Sequence, residues 1–394
     1  MKLNISHLSK FYWFLLSWGV IVFSLFNLAL NQVVLKILVP VIFISVIFLE
    51  GKKFLFNNYL LIYIVFFLWA SMSIFYTINM EDTLKYLQQL LGNIIIWYTT
   101  IRLFAYLSNK YTFFLILGLA FLFHAIYAFM FPNIDDETFR LAGLYTNSNA
   151  LGFAMFYGVV IINFLYNFSK NTRSKIIFIV IIVFMIAALF ETGSRKSVLA
   201  VTISLAITLF LVNRKKSLKL ILISFFVFVI TIGSNFMTGY LTETAFGKRI
   251  EATEVEQSAN VRADLISEGF GFFIDHPFLG IGLGSFTSYS SMGIMSHNDF
   301  IEILSSMGLI GLFIYISIFF LFFKDIQFLI KFKGTNKIGI IATSFIVGYL
   351  ILGMGHPAFL SPVSILVFAS FQALIEHEVN RVKSKIYEIN EGID

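Results

Sequence analysis

The chain has 394 residues, of which 58% are hydrophobic and only 13% charged, with a net charge of +6 and no cysteine. A mean hydropathy of +0.87 over that length excludes both a water-soluble globular protein and a disordered one. The lack of cysteine excludes disulfides, thiolate metal sites and thiol nucleophiles.

A helix that crosses a membrane needs about 20 mainly apolar residues. Runs of that kind lie near 11–30, 33–49, 59–76, 90–107, 111–131, 149–168, 175–190, 197–212, 217–236, 301–323, 338–354 and 358–376. None alternates as a transmembrane strand does. The expected fold is an all-α integral membrane protein. It has about 12 transmembrane helices and one long extracytoplasmic loop containing short helices. The first run follows Lys2 and Lys10. It is too long for a signal peptide and lacks an A-x-A-like cleavage site, so it is expected to remain as a helix.

Lys and Arg gather in cytoplasmic loops. With both termini placed in the cytoplasm, 20 of the 28 fall on that side. The other eight are Lys36, Lys85, Arg140, Arg195, Lys196, Lys248, Arg249 and Arg262. These sit against the rule and need a reason. The expected divisions are residues 1–236 with nine spans, 237–297 as the outer loop, 298–376 with three spans, and 377–394 as a charged cytoplasmic tail. Inside the loop, 261–273 predicts a short amphipathic helix, with Asn260 as its cap and Asp264 and Glu268 on one face. Gly280, Gly282 and Gly284 predict a tight turn, and Gly308 and Gly311 close helix packing.

Four polar clusters adjoin spans on the outer side. They are Arg140-Leu-Ala-Gly-Leu-Tyr-Thr-Asn-Ser-Asn149, the turn Glu191-Thr-Gly-Ser-Arg-Lys196, Arg262 followed by Asp275-His-Pro-Phe-Leu-Gly-Ile-Gly-Leu-Gly284, and Ser296-His-Asn-Asp-Phe-Ile-Glu302. Together they resemble the O-antigen polymerase and ligase family of bacterial membrane glycosyltransferases, over most of residues 140–323. The features that match are the Arg–Gly–Asn stretch, Thr-Gly-Ser-Arg at 192–195, an Arg ahead of His-Pro-x-x-Gly-x-Gly, and His297-Asn298 before Leu304-x-x-x-Gly-x-x-Gly311.

The resemblance implies transfer of a glycan from an undecaprenyl diphosphate carrier to an acceptor hydroxyl, without a cofactor or required metal. By position, Arg195 and Arg262 would hold the diphosphate and His297 would act near the acceptor. Arg140, Asn149, Lys196, Asn298, Asp299 and Glu302 are the candidate substrate-binding residues. A repeat-unit polymerase is the first reading and a ligase to lipid A core or another final acceptor the alternative. Expected partners are the lipid-linked donor, a glycan or lipid-linked acceptor, membrane lipid and other polysaccharide-assembly proteins, but not nucleic acid. The expected location is the bacterial cytoplasmic membrane, with the active site facing outward.

Chemistry points the same way. No ATP is available outside the cell, so the energy must come from a bond in the substrate. A sugar–diphosphate bond suffices if the leaving charge is stabilised. Arginine is always ionised and grips phosphate oxygens bidentately. Imidazole titrates near neutrality and suits removal of a hydroxyl proton. Blander readings stand beside each assignment. Arg195 and Lys196 could snorkel to headgroups. Arg262 could pair with Asp264 or Glu268, and Arg140 with Asp135, Asp136 or Glu137. Asp299 or Glu302 could be the base instead. A polytopic transporter is the rival class, although transporters place their ionisable groups near the midplane.

Overall fold

The computed structural model describes residues 17–19, 40–44, 57–107, 109–135, 140–145, 147–212, 254–332, 334–355 and 357–391. The expected spans at 11–30, 33–49 and 217–236 fall largely outside them, as do Asp136, Glu137 and residues 213–253. In chain order the helices are α1 (Asn58–Ser71), α2 (Met80–Tyr106), α3 (Lys110–Met130), α4 (Ser148–Phe168), α5 (Thr172–Glu191), α6 (Arg195–Val212), α7 (Glu254–Asp275), α8 (Phe286–Tyr289), α9 (Asp299–Lys331), α10 (Asn336–Gly353) and α11 (Pro362–Glu391). Strands β1 (Ile134–Asp135) and β2 (Arg140–Leu141) form one short antiparallel ladder that sets Asp135 opposite Arg140.

Among the described residues, seven helical segments are long and apolar enough to cross a membrane: Asn58–Phe75, Lys110–Met130, Ser148–Phe168, Thr172–Glu191, Arg195–Val212, Asp299–Lys331 and Asn336–Gly353. The protein is an all-α, multi-pass membrane protein. The expected spans near 90–107 and 358–376 are also helical, within α2 and α11, but each helix runs on into polar sequence. α2 begins with Glu81 and Asp82, which favours its amino-terminal dipole. α11 continues to Glu391, so the charged segment after 376 prolongs a helix.

The chain divides into two compact units. The first comprises residues 1–32, 107–255 and 329–352. Its centre is α4, buried on every side from Leu151 to Leu165, the pattern of a helix enclosed by others. Glycines let neighbours close in. A Cβ at Gly118 would meet Ile162 at 2.8 Å, and one at Gly158 would meet Phe121 at 2.8 Å. Asn109, Asn147 and Asn171 cap α3, α4 and α5 by accepting from the N–H groups of Tyr111, Asn149 and Arg173, as short polar side chains do at that position.

The second unit comprises residues 33–106, 256–328 and 353–394. Its core is aromatic, with Tyr63 against Trp97, Phe66 against Tyr315 and Phe319 against Phe368. The indole of Trp97 donates to Gln372 Oε1 at 3.1 Å, which joins α2 to α11.

α9 is broken. Gly308 has φ 67° and ψ −169°, a region open in practice only to glycine. The expectation that Gly308 packs helix on helix is corrected, because it ends one helical piece and starts the next. Segment 277–284 fills the break. Ile281 and Gly282 donate to the carbonyls of Ser305 and Ser306, both at 2.9 Å, and Leu309 donates to the Pro277 carbonyl at 2.9 Å. The Trp69 indole donates to Met307 O at 3.0 Å. Backbone groups released by the break thus recover partners inside the protein, as membrane depth requires. The glycine-rich run is a tight turn with positive φ at 280, 282 and 284.

Helix α7 is longer than 261–273. It starts at Glu254, which puts Asn260 in its second turn rather than at its cap. Nothing in Glu254–Ala259 breaks a helix, and acids suit a first turn. Gly269 is tolerated within it because a Cβ there would collide with Ile301.

Candidate active site

In the first unit the helices α5 and α6 meet at Thr192-Gly193-Ser194. Gly193 takes φ 60°, which only glycine adopts readily. The Thr192 hydroxyl donates to Leu189 O at 2.7 Å and accepts from the Ser194 N–H at 3.2 Å. Ser194 and Ser197 share a hydroxyl hydrogen bond of 2.8 Å. A Cβ at Gly152 would lie 2.7 Å from that of Ser194, so a glycine there is what lets α4 reach this turn. Arg195 and Lys196 are the first two residues of α6, both half-buried. The first N–H groups of a helix have no intrahelical partner and carry the positive end of its dipole. Two cations added to that end make an anion-attracting terminus.

Arg140 is 7% exposed. Its Nε donates to Thr192 O at 2.8 Å and its Nη2 to Asn149 Oδ1 at 2.7 Å. The structure therefore brings Arg140, Asn149 and the Thr-Gly-Ser-Arg turn together, with the guanidinium clamping the turn to the start of α4. Neither the clamp nor Gly152 was evident from sequence spacing.

In the second unit His297 stands immediately before α9 with φ 55°, the one non-glycine residue at positive φ among the described residues. A frame of hydrogen bonds surrounds it. Ser296 N–H donates to Glu302 Oε2 at 3.0 Å, and Ser296 Oγ donates to Asn298 O at 3.0 Å. Asn298 Oδ1 accepts from the N–H groups of Phe300 at 2.9 Å and Ile301 at 3.3 Å, capping α9. Asp299 and Glu302 are each 1% exposed. The Tyr315 hydroxyl donates to Asp299 Oδ2 at 2.9 Å. Both acids thus face inward, and His297, half-buried, is the titratable side chain of this turn nearest to solvent. Tyr315 had no sequence signal, since a separation of 16 residues from Asp299 across a helix break follows no local period.

Arg262 lies on the stripe of α7 that carries Leu265 and Gly269. Leu265 clusters with Phe286 and Ile301, so this stripe faces the first turn of α9. Glu268, on the same helix, anchors a loop turn. Its carboxylate accepts from the Ser290 hydroxyl at 2.7 Å, the Ser291 N–H at 3.3 Å and the Ser291 hydroxyl. These bonds pin the 290–293 turn to α7.

A family model described as O-antigen ligase matches residues 180–316. No curated protein matches the chain. The match covers the Thr-Gly-Ser-Arg turn, Arg262, the glycine run and the His297 frame, and it supports the resemblance to the O-antigen polymerase and ligase family.

Proposed function

We propose that this protein transfers an oligosaccharide or polysaccharide from an undecaprenyl diphosphate donor to a sugar hydroxyl at the outer membrane face, as a repeat-unit polymerase. The acceptor oxygen attacks the anomeric carbon of the donor. The bond from that carbon to the diphosphate oxygen breaks, the acceptor proton passes to His297, and undecaprenyl diphosphate departs. Arg195 and Arg262 are read as phosphate ligands, with Lys196 adding charge. Preorganised donors of this kind contribute about 3–4 kcal/mol each to a transition state.

The observation that carries the reading is the rigid frame around His297. A left-handed histidine between Ser296, whose N–H the buried Glu302 carboxylate accepts, and the Asn298 cap of α9 is an arrangement suited to a positioned base. Asp299 and Glu302 support the fold by their bonding, which favours the histidine over either acid as the base.

The test uses purified protein in lipid nanodiscs with a defined undecaprenyl diphosphate-linked glycan. A ladder of lengthened lipid-linked product supports the polymerase. Transfer only to lipid A core or another final acceptor replaces it with the second reading, a ligase. Movement of the lipid-linked glycan across the bilayer with no transfer to either acceptor overturns both and favours a transporter. EDTA is expected to leave the rate unchanged, and a loss restored by Mg²⁺ contradicts the metal-independent mechanism.

A further inference from the structure

α7 is too polar overall to cross a membrane, yet its second half carries a row of large apolar side chains that nothing in its own unit covers. Leu265, Gly269 and Phe272 form the stripe that packs toward Ile301 and Phe286. About 150° around the helix at 100° per residue, Phe270 is 47% exposed and Ile274 72%. A third, polar stripe is also exposed, running through Asp264, Gly271 and Asp275. The apolar row continues past the end of the helix into Phe278, 64% exposed, and Leu279.

That row joins surfaces that belong to spanning helices. Phe278 lies against the break in α9, where a Cβ on Gly308 would strike its carbonyl. Just beyond the break, Leu309 and Phe313 are exposed on α9, the latter to 72%. On the other side the Tyr76 hydroxyl donates to Leu279 O at 2.8 Å. This places Phe75, 81% exposed at the end of the first described span, beside the same loop. An apolar surface of this extent is unusual against water, and here it is continuous with side chains that already face hydrocarbon.

We propose that the carboxyl-terminal half of α7 and the 277–279 turn lie in the membrane interface, with Phe270, Ile274 and Phe278 inserted among lipid acyl chains. The polar stripe then faces water. A helix with two such exposed faces and low overall hydrophobicity rests in the interface plane, its apolar side about 5–10 Å into the headgroup and acyl boundary. Neighbouring lipid is the occupant because the row merges with the lipid-facing rows of α1 and α9.

The chain has no cysteine, so single cysteines can carry a nitroxide in nanodiscs. Labels at Ile274→Cys and Phe278→Cys are compared with Phe313→Cys as the bilayer reference and Asp264→Cys as the aqueous one. All four positions are at the surface, and a monodisperse elution profile with native helical circular dichroism qualifies each variant. The expected result is that 274 and 278 resemble 313. Relaxation by oxygen should exceed that by a water-soluble nickel chelate, with the ratio several-fold above that at 264. A ratio like that of 264 overturns the proposal. Shielding of 274 and 278 from both reagents also overturns it, and assigns the face to a protein partner or a second copy.

Discussion

The Glu302 carboxylate accepts the backbone N–H of Ser296 at 3.0 Å, reaching back from the first turn of α9 to the residue before His297. The bond reverses the usual direction of a cap, since the helix side chain satisfies a donor in the loop. Glu302→Ala is expected to leave that buried N–H unpaired, which costs about 1–3 kcal/mol. It should also lower transfer by up to about 10²-fold, because a displacement near 1 Å is enough to disable a positioned group. Glu302→Gln retains an acceptor oxygen and is expected to stay near the native rate. Equal loss in both variants would mean that the charge, rather than the bond, matters.

Gly308 and Gly271 give opposite expectations for one substitution. Gly308→Ala forces a Cβ into the Phe278 carbonyl and places alanine at φ 67°. Backbone strain of that kind alone costs about 1–3 kcal/mol. Gly271 is helical with nothing within 4 Å of its would-be Cβ, so Gly271→Ala should stabilise by about 0.4–1 kcal/mol. Thermal midpoints in detergent should fall for the first and hold or rise for the second. A Gly308→Ala variant with a native midpoint would show that the α9 break is not required.

Arg140 and Arg195 should separate under the same change. Lysine at 140 keeps the charge but cannot bridge Thr192 O and Asn149 Oδ1 as the fork does. Arg140→Lys is therefore expected to lower the thermal midpoint. Arg195→Lys should leave the midpoint near native while reducing transfer nearly as far as Arg195→Ala. Near-native transfer by Arg195→Lys would favour the snorkelling role.

The Glu268 anchor gives a pH expectation. Hydroxyl bonds from Ser291, then Ser290, hold its carboxyl below the usual 4.5. A carboxyl lowered in the folded state stabilises the fold above its unfolded pKa. That contribution is lost as pH falls through the lowered value. Amide protection at 290–293, corrected for intrinsic exchange, should therefore be constant at neutral pH and decline below about pH 4.5. Glu268→Gln should remove the acid dependence, and an unchanged acid decline in that variant would assign it to another group.

Much of the fold was legible because hydrocarbon enforces a simple rule. Every expected span inside the described residues coincides with a helix, since a long apolar run leaves the backbone no other partner. What escaped was backbone-to-backbone contact. The docking of Ile281 and Gly282 on Ser305 and Ser306 involves no side-chain code beyond glycine itself. Gly308 read as a packing residue because Gly-x-x-Gly has the same form in a continuous helix and a broken one. Local order at the site was readable as Ser-His-Asn-Asp, where the asparagine does cap α9. The inward turn of Asp299 and Glu302 was not, as burial depends on Tyr315 and on Gly353, whose Cβ would stand 2.8 Å from Asp299 Oδ2.

His297 carries the most direct expectation. As the base it must be neutral to accept the acceptor proton, so the wild-type rate should fall once the pH is low enough to protonate the imidazole. His297→Ala and His297→Gln should both lose about 10²–10⁴-fold in rate while donor binding survives. The left-handed backbone adds a control. His297→Asn suits φ 55° better than most residues and preserves a polar side chain, so it should keep the fold yet lose transfer. His297→Gly relieves the backbone and should do the same. If His297→Gln instead keeps the wild-type rate with the same acidic limb, the proton goes elsewhere. Asp299 and Glu302 then return as candidates, and one of them would have to leave its buried bond during the reaction.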